Sequence, residues 1–277
     1  MMDPTLQTQI NSARLKFRDG ETIFGTGYGA EGIKVAELCF NTSMTGYQEI
    51  LTDPSYYKQI LTFTFPHIGN VGTNLEDNES SKPHVSGIVT SSIPTNDSSW
   101  RSENSLTNWM IHKKVIGICN VDTRKITRKI RDQGAQDVAI EHRKDGKFLD
   151  EELSEKLFNF PGLKGMDLAR NVSCTKPYNF TELGFPWIEQ KSVTGKKVVV
   201  IDYGIKTNIL RKLASYGFEI TVVPADFPAD EILKLNPKGI FLSNGPGDPA
   251  ATHNYSGPII KNIISQKNLP IFGICLG

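Results

Sequence analysis

Apolar residues in the last third of the chain fall into short runs without alternating polar positions. The runs cover residues 197–202, 218–223, 239–242 and 270–274. A strand that is covered on both faces of a sheet shows this pattern, whereas a half-exposed strand alternates. The pattern therefore predicts four buried parallel strands.

Helical patterns separate these runs. Thr207 can cap a first helix and Gly217 can end it. A second helix is predicted over residues 229–235 and a third over residues 255–266, where apolar residues recur near helical spacing. Because strands and helices alternate, this part of the chain is predicted to form a parallel sheet with right-handed crossovers.

The pattern before residue 190 is less regular and indicates a sheet-rich α/β domain. Residues 13–17 and 21–25 are strand-like and flank an Asp-Gly pair, which predicts a hairpin. Ser, Asn and Thr dominate residues 90–105, a predicted surface loop. A helix with one apolar face is predicted over residues 105–112.

Residues 124–131 form a strongly basic run, and such a run can indicate nucleic-acid binding. The run contains no aromatic residue, and Ile126 and Ile130 lie four positions apart, as on one face of a helix. Asp122 or Thr123 can cap that helix. We interpret the run as an amphipathic helix with a solvated basic face.

Length and composition fit two globular domains. The chain has 277 residues, and about 150 residues per domain is a useful prior. Residues 174–192 show no sustained periodicity and are predicted to connect the domains. We therefore expect an N-terminal domain, including this linker, over residues 1–190 and a second domain over residues 191–277.

Charge and cysteine usage narrow the class of partner. The formal net charge is only +1, so no global field favours nucleic acid or an anionic membrane, and we expect neither as a partner. No apolar run approaches the roughly 20 residues of a membrane span, and residues 1–16 lack a signal-peptide core. The four cysteines are widely spaced. They suit a reducing compartment, so we expect the cytoplasm.

The sharpest chemistry lies in residues 273–277, Gly-Ile-Cys-Leu-Gly, directly after the fourth predicted strand. Small residues on both sides of a thiol are typical of a nucleophile elbow, a tight turn that lifts the nucleophile above the sheet edge. A buried structural cysteine is the competing interpretation. The position after a parallel strand favours Cys275 as a nucleophile.

A second candidate element is the loop Ser-Asn-Gly-Pro-Gly-Asp-Pro at residues 243–249, after the third predicted strand. Two glycines and two prolines can hold backbone N–H groups close to a ligand. An ordinary turn explains the loop taken alone. Two such elements at one sheet edge favour a site for acyl chemistry.

Longer stretches resemble a known family. FLSNGPGDP (241–249) and PIFGICLG (270–277) resemble class I glutamine amidotransferase domains. FNTSMTGYQEILTDPSYYKQI (40–60), FPHIGNVGTN (65–74), VDTRKITRKIRDQGAQ (121–136) and FPGLKGMDLA (160–169) resemble the glutamine-hydrolysing small subunit of carbamoyl-phosphate synthetase.

The resemblance implies a fold, an activity and partners. The fold is α/β, with the N-terminal domain followed by an incomplete class I amidotransferase domain. The family hydrolyses L-glutamine to glutamate and ammonia, which passes to a large synthetase subunit. That subunit uses ATP, Mg and bicarbonate to make carbamoyl phosphate for arginine and pyrimidine synthesis. No cofactor or metal is implied in this chain.

The resemblance also implies roles for particular residues. Cys275 matches the catalytic nucleophile, which forms a thioester with glutamine. Gly247 and Leu276 match the backbone donors of the oxyanion hole. The positions that hold glutamine are Ser43, Gly245, Gly247 and Leu276, so we expect the substrate site to include a residue of the N-terminal domain.

The sequence departs from the family where the chain stops, at Gly277. The family continues with a helix and with the His and Glu that complete a catalytic triad, and none of the five histidines here matches that His. We therefore expect a truncated member that is inactive alone. The alternative function is a non-catalytic remnant that only binds the large subunit.

Overall fold

The computed structural model describes residues 11–184, 192, 194–265 and 269–277, which form two compact units. The first unit contains the chain up to residue 52 together with residues 58–78 and 82–162. The second contains residues 53–57 and 79–81 and the chain from residue 163 onward. The units divide near residue 162, whereas the family domains 1–190 and 191–277 stay a prediction.

Among the described residues, seven strands form the sheet of the first unit. They pair in one closed sheet, in which the first strand meets the seventh, and three of the neighbouring pairs are parallel. Their order in the sheet is 1-2-6-5-4-3-7. The strands are β1 (Ala13–Phe17), β2 (Thr22–Gly29), β3 (Gly32–Asn41), β4 (Gln59–Phe63), β5 (Gly87–Val89), β6 (Ile116–Cys119) and β7 (Gln136–His142).

Local sequence accounts for the predicted hairpin, which is confirmed. β1 and β2 are antiparallel, with Leu15 opposite Ile23. Gly20 has φ +96° in the turn, a conformation that favours glycine. The backbone N–H of Glu21 donates to the Asp19 carboxylate over 2.9 Å. In this turn Gly20 thus adopts the positive φ, and Asp19 supplies the hydrogen-bond acceptor.

In the part of the first unit that the structure describes, four helices accompany the sheet: α1 (Tyr47–Thr52), α2 (Leu106–Lys113), α3 (Thr123–Gln133) and α4 (Asp150–Phe158). The predicted helix over residues 105–112 is confirmed as α2. The basic run is confirmed as the amphipathic helix α3, whose Ile126 and Ile130 are buried. The Asp122 side chain caps α3 by accepting from the N–H of Lys125 over 2.8 Å.

The second unit is built on a five-stranded sheet in the order 12-11-9-10-8. Its strands are β8 (Tyr178–Phe180), β9 (Lys197–Asp202), β10 (Glu219–Pro224), β11 (Gly239–Leu242) and β12 (Ile271–Gly273). The four strands β9 to β12 are parallel neighbours, as predicted. Buried side chains such as Val199, Ile201 and Leu242 fill the core on one face.

The predicted linker over residues 174–192 is partly wrong. Residues 178–180 form β8, an antiparallel edge strand that pairs with residues 220–222 of β10. Three residues are too few to show a periodicity, and their partner lies far along the chain, so local pattern could not reveal the strand. Residues 185–191 lie outside the described residues.

The helices of the second unit are α5 (Ala169–Val172), α6 (Thr207–Ser215), α7 (Ala229–Lys234) and α8 (Pro249–Ser265). α8 begins six residues before the predicted start at 255, because Pro249 suits a first helical position and Gly257-Pro258 obscures the apolar pattern. Gln266, the predicted end, is outside the described residues. None of the helices described here is long and apolar enough to cross a membrane.

Candidate active site

Cys275 lies in a tight turn directly after β12. The N–H of Gly277 donates to the carbonyl of Ile274 over 3.1 Å and closes the turn. Cys275 itself has φ +56°, a left-handed conformation that is unfavourable for a residue with a side chain. Cys275 is exposed. Strain of this kind is concentrated at functional sites, where the rest of the fold holds it in place.

The two glycines around Cys275 make the turn possible. A Cβ added to Gly273 would overlap the carbonyl oxygen of Gly277, and one added to Gly277 would overlap the carbonyl oxygen of Leu242. No side chain fits at either position without moving backbone. The Gly-x-Cys-x-Gly spacing is therefore a steric requirement of this turn.

The fold brings the loop at residues 243–249 and the thiol turn to the same sheet edge. β11 and β12 are parallel, with Leu242 opposite Gly273. The carbonyl of Leu242 accepts from the N–H of Ile274 over 3.1 Å, and the carbonyl of Ser243 accepts from the N–H of Gly277 over 3.1 Å. This is the carboxyl edge of parallel strands, where open α/β sheets bind their ligands.

Close backbone packing explains the glycines of the loop. A Cβ added to Gly245 would overlap the carbonyl oxygen of Tyr203. Gly247 has φ +100°, and a Cβ there would lie 2.9 Å from the carbonyl oxygen of Met166. Both glycines thus let the loop approach neighbouring backbone, which leaves its own peptide groups at the sheet edge.

Asp248 fixes the far end of the loop. Its carboxylate accepts from the N–H of Ala250 and from the N–H of Gly165, both over 2.9 Å. These backbone hydrogen bonds, that of Ala250 first, lower the pKa of the Asp248 carboxyl. The N–H of Asp248 donates to the carbonyl of Met166 over 3.1 Å. Asp248 therefore both starts α8 and ties the loop to residues 165–166.

Several backbone amide groups remain available at this edge. Among the residues that the structure describes, the N–H groups of Gly247 and Leu276 donate to no protein acceptor, and neither do those of Gly245 and Cys275. The N–H groups of Asp248 and Gly277, one residue further on, are both used. Free donors beside an exposed thiol are what an oxyanion hole needs. The assignment of Gly247 and Leu276 to that hole stays a prediction.

Sequence reasoning missed the polar residues that hold the loop. Ser243 and Asn244 are buried and directly follow β11. The Ser243 hydroxyl accepts from the N–H of Tyr203 over 2.8 Å. Asp202, at the end of β9, accepts from the N–H groups of Gly204 and Ile205. Polar residues immediately after apolar strands were the available signal.

Ser43 lies in the first unit, between β3 and α1, on an exposed loop. Its N–H donates to the side chain of Asn41 over 2.8 Å. This is the polar turn that the residues alone indicate. Its role in holding glutamine rests on the resemblance and stays a prediction.

The other three thiols differ from Cys275 in their surroundings. All four cysteines are free. Burial raises the pKa of Cys39 and of Cys174 to about 12 and that of Cys119 to about 11. A thiol with such a pKa is a poor nucleophile at neutral pH, because the thiolate is the reactive form. Cys275 is the exposed thiol of the four.

The described residues offer no cluster of metal-ligating side chains. No group of three His, Cys, Asp or Glu side chains among them could hold a metal ion. The histidine of the second unit, His253, is exposed on α8 and packs against Gly257 of the same helix.

A thiol turn and a glycine-rich loop at one edge of a parallel sheet define a class I glutamine amidotransferase domain. Residues 199–277 match the family model described as "Glutamine amidotransferase class-I". Residues 15–140 match a second model, described as "Carbamoyl-phosphate synthase small chain, CPSase domain". The two matches fall in the second and the first half of the chain, respectively.

Similarity to curated proteins extends over nearly the whole chain. A carbamoyl phosphate synthase small chain of Ruegeria pomeroyi is 52% identical over 269 residues, which are 96% of this chain and 69% of that protein. Those of Bradyrhizobium diazoefficiens and Vibrio vulnificus are 46% and 49% identical, covering 99% and 96% of this chain and 71% of each relative. The chain belongs to the family of carbamoyl phosphate synthase small chains.

Proposed function

We propose that this protein hydrolyses L-glutamine with Cys275 and passes the ammonia to a large synthetase subunit for carbamoyl phosphate synthesis. The observation that carries the proposal is the exposed Cys275 in a left-handed turn at the carboxyl edge of the sheet. The product would serve arginine and pyrimidine synthesis. The free, dispersed cysteines suit a reducing compartment, so we place the activity in the cytoplasm.

The chemistry proceeds through a thioester. The Cys275 thiolate attacks the side-chain amide carbon of glutamine, and a C–S bond forms. The C–N bond then breaks, and the nitrogen leaves as ammonia after it gains a proton. Water attacks the resulting γ-glutamyl thioester, which releases glutamate and restores the thiol.

The surrounding backbone would stabilise the charge that develops on the amide oxygen. The unused N–H groups of Gly247 and Leu276 are the proposed donors. One such donor is worth roughly 10²–10³-fold in turnover in other acyl-transfer enzymes. Gly245, Gly247, Leu276 and Ser43 are the residues proposed to hold glutamine.

The remaining chemistry belongs to the partner. Carbamoyl phosphate synthesis needs ATP, Mg and bicarbonate, and we assign all three to the large subunit. Nucleic acid and membranes are not proposed as partners.

The decisive experiment replaces Cys275 by Ser in the intact protein bound to its large subunit. We expect glutamine-dependent synthesis to fall at least about 100-fold. Synthesis from free ammonia should stay within about twofold, because that chemistry lies in the partner. Cys39→Ser, which changes a half-buried thiol of the first unit, is the matched control and should keep both activities.

Retained glutaminase activity in Cys275→Ser would refute the proposal. Loss of both activities would instead mean that Cys275 supports the complex rather than the chemistry, and this result would also count against the thioester mechanism. Trapping of a covalent adduct on Cys275 by a glutamine analogue with a reactive side chain would support it independently.

A further inference from the structure

The loop that carries Gly245 and Gly247 is held at its beginning by residues from far upstream in the chain. The buried Asn244 side chain donates to the Ser55 hydroxyl over 2.9 Å and to the carbonyl of Gly204 over 2.9 Å. It lies 3.4 Å from the Asp53 carboxylate. Ser55 and Asn244 are 189 residues apart in the sequence, and both belong to the second unit.

The segment that contributes Ser55 is itself rigidly built. Asp53 caps the 3-10 turn Pro54–Tyr56 by accepting from the N–H of Ser55 over 2.9 Å. Its other carboxylate oxygen lies 3.3 Å from the ammonium of Lys206. Because Asp53 is buried, solvent and salt screen this ion pair less than they screen a pair of exposed charges. The Asp53 carboxylate thus fixes the turn through its contacts with Ser55 and Lys206.

Packing joins the same pieces. A Cβ added to Gly204 would lie 3.1 Å from Pro54 and 3.1 Å from Pro246. Gly204 has φ +123°, which further restricts it to glycine. Pro246 stands between the two glycines of the loop, so Gly204 packs against both the turn at residues 54–56 and the loop.

We propose that Ser55 is a positioning residue for the glutamine-binding loop and acts through Asn244. The inference rests on the proposed function. The far end of the loop is already tied to residues 165–166 through Asp248. At the near end, Asn244 acts together with Ser243, and the backbone of Asn244 continues directly into Gly245. Without the Ser55 acceptor, the Asn244 amide nitrogen loses one of the two hydrogen bonds of 2.9 Å that it donates. The direction of the N–H of Gly247 is then less well fixed.

The effect should appear in glutamine binding. Displacement of about 1 Å in a binding group can cost activity far beyond the energy of one hydrogen bond. A single neutral hydrogen bond sets the lower limit, about 3- to 10-fold. We therefore expect Ser55→Ala to raise the KM for glutamine about 3- to 10-fold, while kcat falls less than about threefold.

The experiment compares Ser55→Ala and Ser55→Thr in the intact protein with its large subunit. Ser55→Thr keeps the hydroxyl and should restore a KM near that of the wild type. Ser265→Ala, at the exposed end of α8, is the matched serine control and should change neither constant. Ammonia-dependent synthesis should stay unchanged in all three variants, which excludes loss of the fold or of the complex.

A double-mutant cycle tests whether Ser55 acts through Asn244. Asn244→Ala alone should raise the KM at least as much as Ser55→Ala, and Ser55→Ala should add less than about twofold to it. Fully multiplicative effects would overturn the proposal, as would a wild-type KM in Ser55→Ala or a defect in Ser55→Thr equal to that of Ser55→Ala. If Cys275→Ser remained active, the proposed function itself would fail, whatever Ser55 does.

Discussion

At the scale of single residues, the site depends on backbone that few side chains tolerate. Cys275 holds a left-handed conformation, which costs roughly 1–2 kcal/mol for an L-residue. The hydrogen bond from Gly277 to Ile274 and the packing of Gly273 against the Gly277 carbonyl hold it there. The strain keeps the thiol exposed above the sheet edge, which is the position that a nucleophile needs.

Ser43→Ala tests the residue that the resemblance assigns to glutamine from the first unit. A hydroxyl that meets a charged end of the amino acid contributes about 1.5–3 kcal/mol. We expect the variant to raise the KM for glutamine more than about tenfold and to lower kcat less. Steady-state kinetics of the intact complex measures both constants. Thr42→Ala, one residue earlier on the same exposed loop, is the control. An unchanged KM in Ser43→Ala would remove Ser43 from the site.

At the scale of elements, the first turn of α6 is held by a residue that is distant in the sequence. Thr207 is not its cap, contrary to the prediction; Thr207 is the first helical residue and its hydroxyl donates to the carbonyl of Glu79 over 2.9 Å. The Glu79 carboxylate accepts from the N–H of Asn208 over 2.8 Å. A carboxylate at the start of a helix accepts from an N–H group that has no partner within the helix. Its negative charge also interacts favourably with the helix dipole.

Glu79 allows a prediction about stability. Burial outweighs the hydrogen bond from Asn208 and raises the pKa of the Glu79 carboxyl. The folded protein therefore favours the protonated form, and its contribution to stability is full at acid pH and falls as pH rises through the raised pKa. Glu79→Gln keeps an acceptor without charge, so at pH 7 its free energy of unfolding should equal or exceed that of the wild type.

The comparison variant is Glu79→Ala, which removes the acceptor. It should lower the free energy of unfolding by about 1 kcal/mol, as the loss of a helix cap does. Urea unfolding followed by circular dichroism at pH 7 and at pH 4 measures both variants. A Gln variant that loses as much stability as the Ala variant would show that the charge, rather than the hydrogen bond, stabilises α6.

At the scale of the whole molecule, the two compact units have separate hydrophobic cores. The first unit buries side chains such as Leu15, Leu38 and Ile60 inside its closed sheet. In the second unit, Phe272 of β12 is 63% exposed and contacts Phe241 of β11 with ring centroids 5.8 Å apart.

His84 predicts how the first unit responds to acid. Burial, aided by Lys82, lowers the pKa of the His84 imidazole to about 4. The unfolded chain binds a proton near pH 6.5 and the folded chain does not, so stability falls as pH drops from 6.5 toward 4. The loss between pH 7 and pH 5 should be about 2 kcal/mol. Unfolding by denaturant across this pH range measures it.

Two histidine variants isolate this contribution. His84→Gln removes the titrating group and should flatten the decline in stability by about the same amount, about 2 kcal/mol between pH 7 and pH 5. His112→Gln changes an exposed histidine of α2 and should keep the wild-type dependence. An equal dependence of stability on pH in wild type and His84→Gln would show that His84 does not contribute to that dependence.

A polypeptide of residues 1–277 alone is expected to hydrolyse glutamine at less than about one hundredth of the rate of a complete family member. A positioned acid–base group is worth about 10²–10⁴-fold, and the resemblance assigns that role to none of the five histidines. A steady-state glutaminase assay with and without the large subunit measures it. Turnover near that of a complete member, lost on Cys275→Ala, would point to a base among those histidines or in the partner.

The sequence by itself determined the parallel sheet and its thiol turn. Uninterrupted apolar runs predicted β9 to β12, because strands buried on both faces need no polar positions. The spacing of Gly273, Cys275 and Gly277 predicted the elbow, since small residues on both sides of the thiol are typical of such a turn. The same holds for the hairpin at Gly20 and for the capped helix α3.

Only the tertiary structure decided which distant residues complete these elements. β8 exists because β10 pairs with it, α6 begins against Glu79, and Asn244 is held by Ser55. Each of these contacts joins residues more than 35 positions apart, and periodicity reports only on neighbours within a few positions. Hydrogen bonds between distant polar groups carry no local pattern, so they become visible only when the chain is folded.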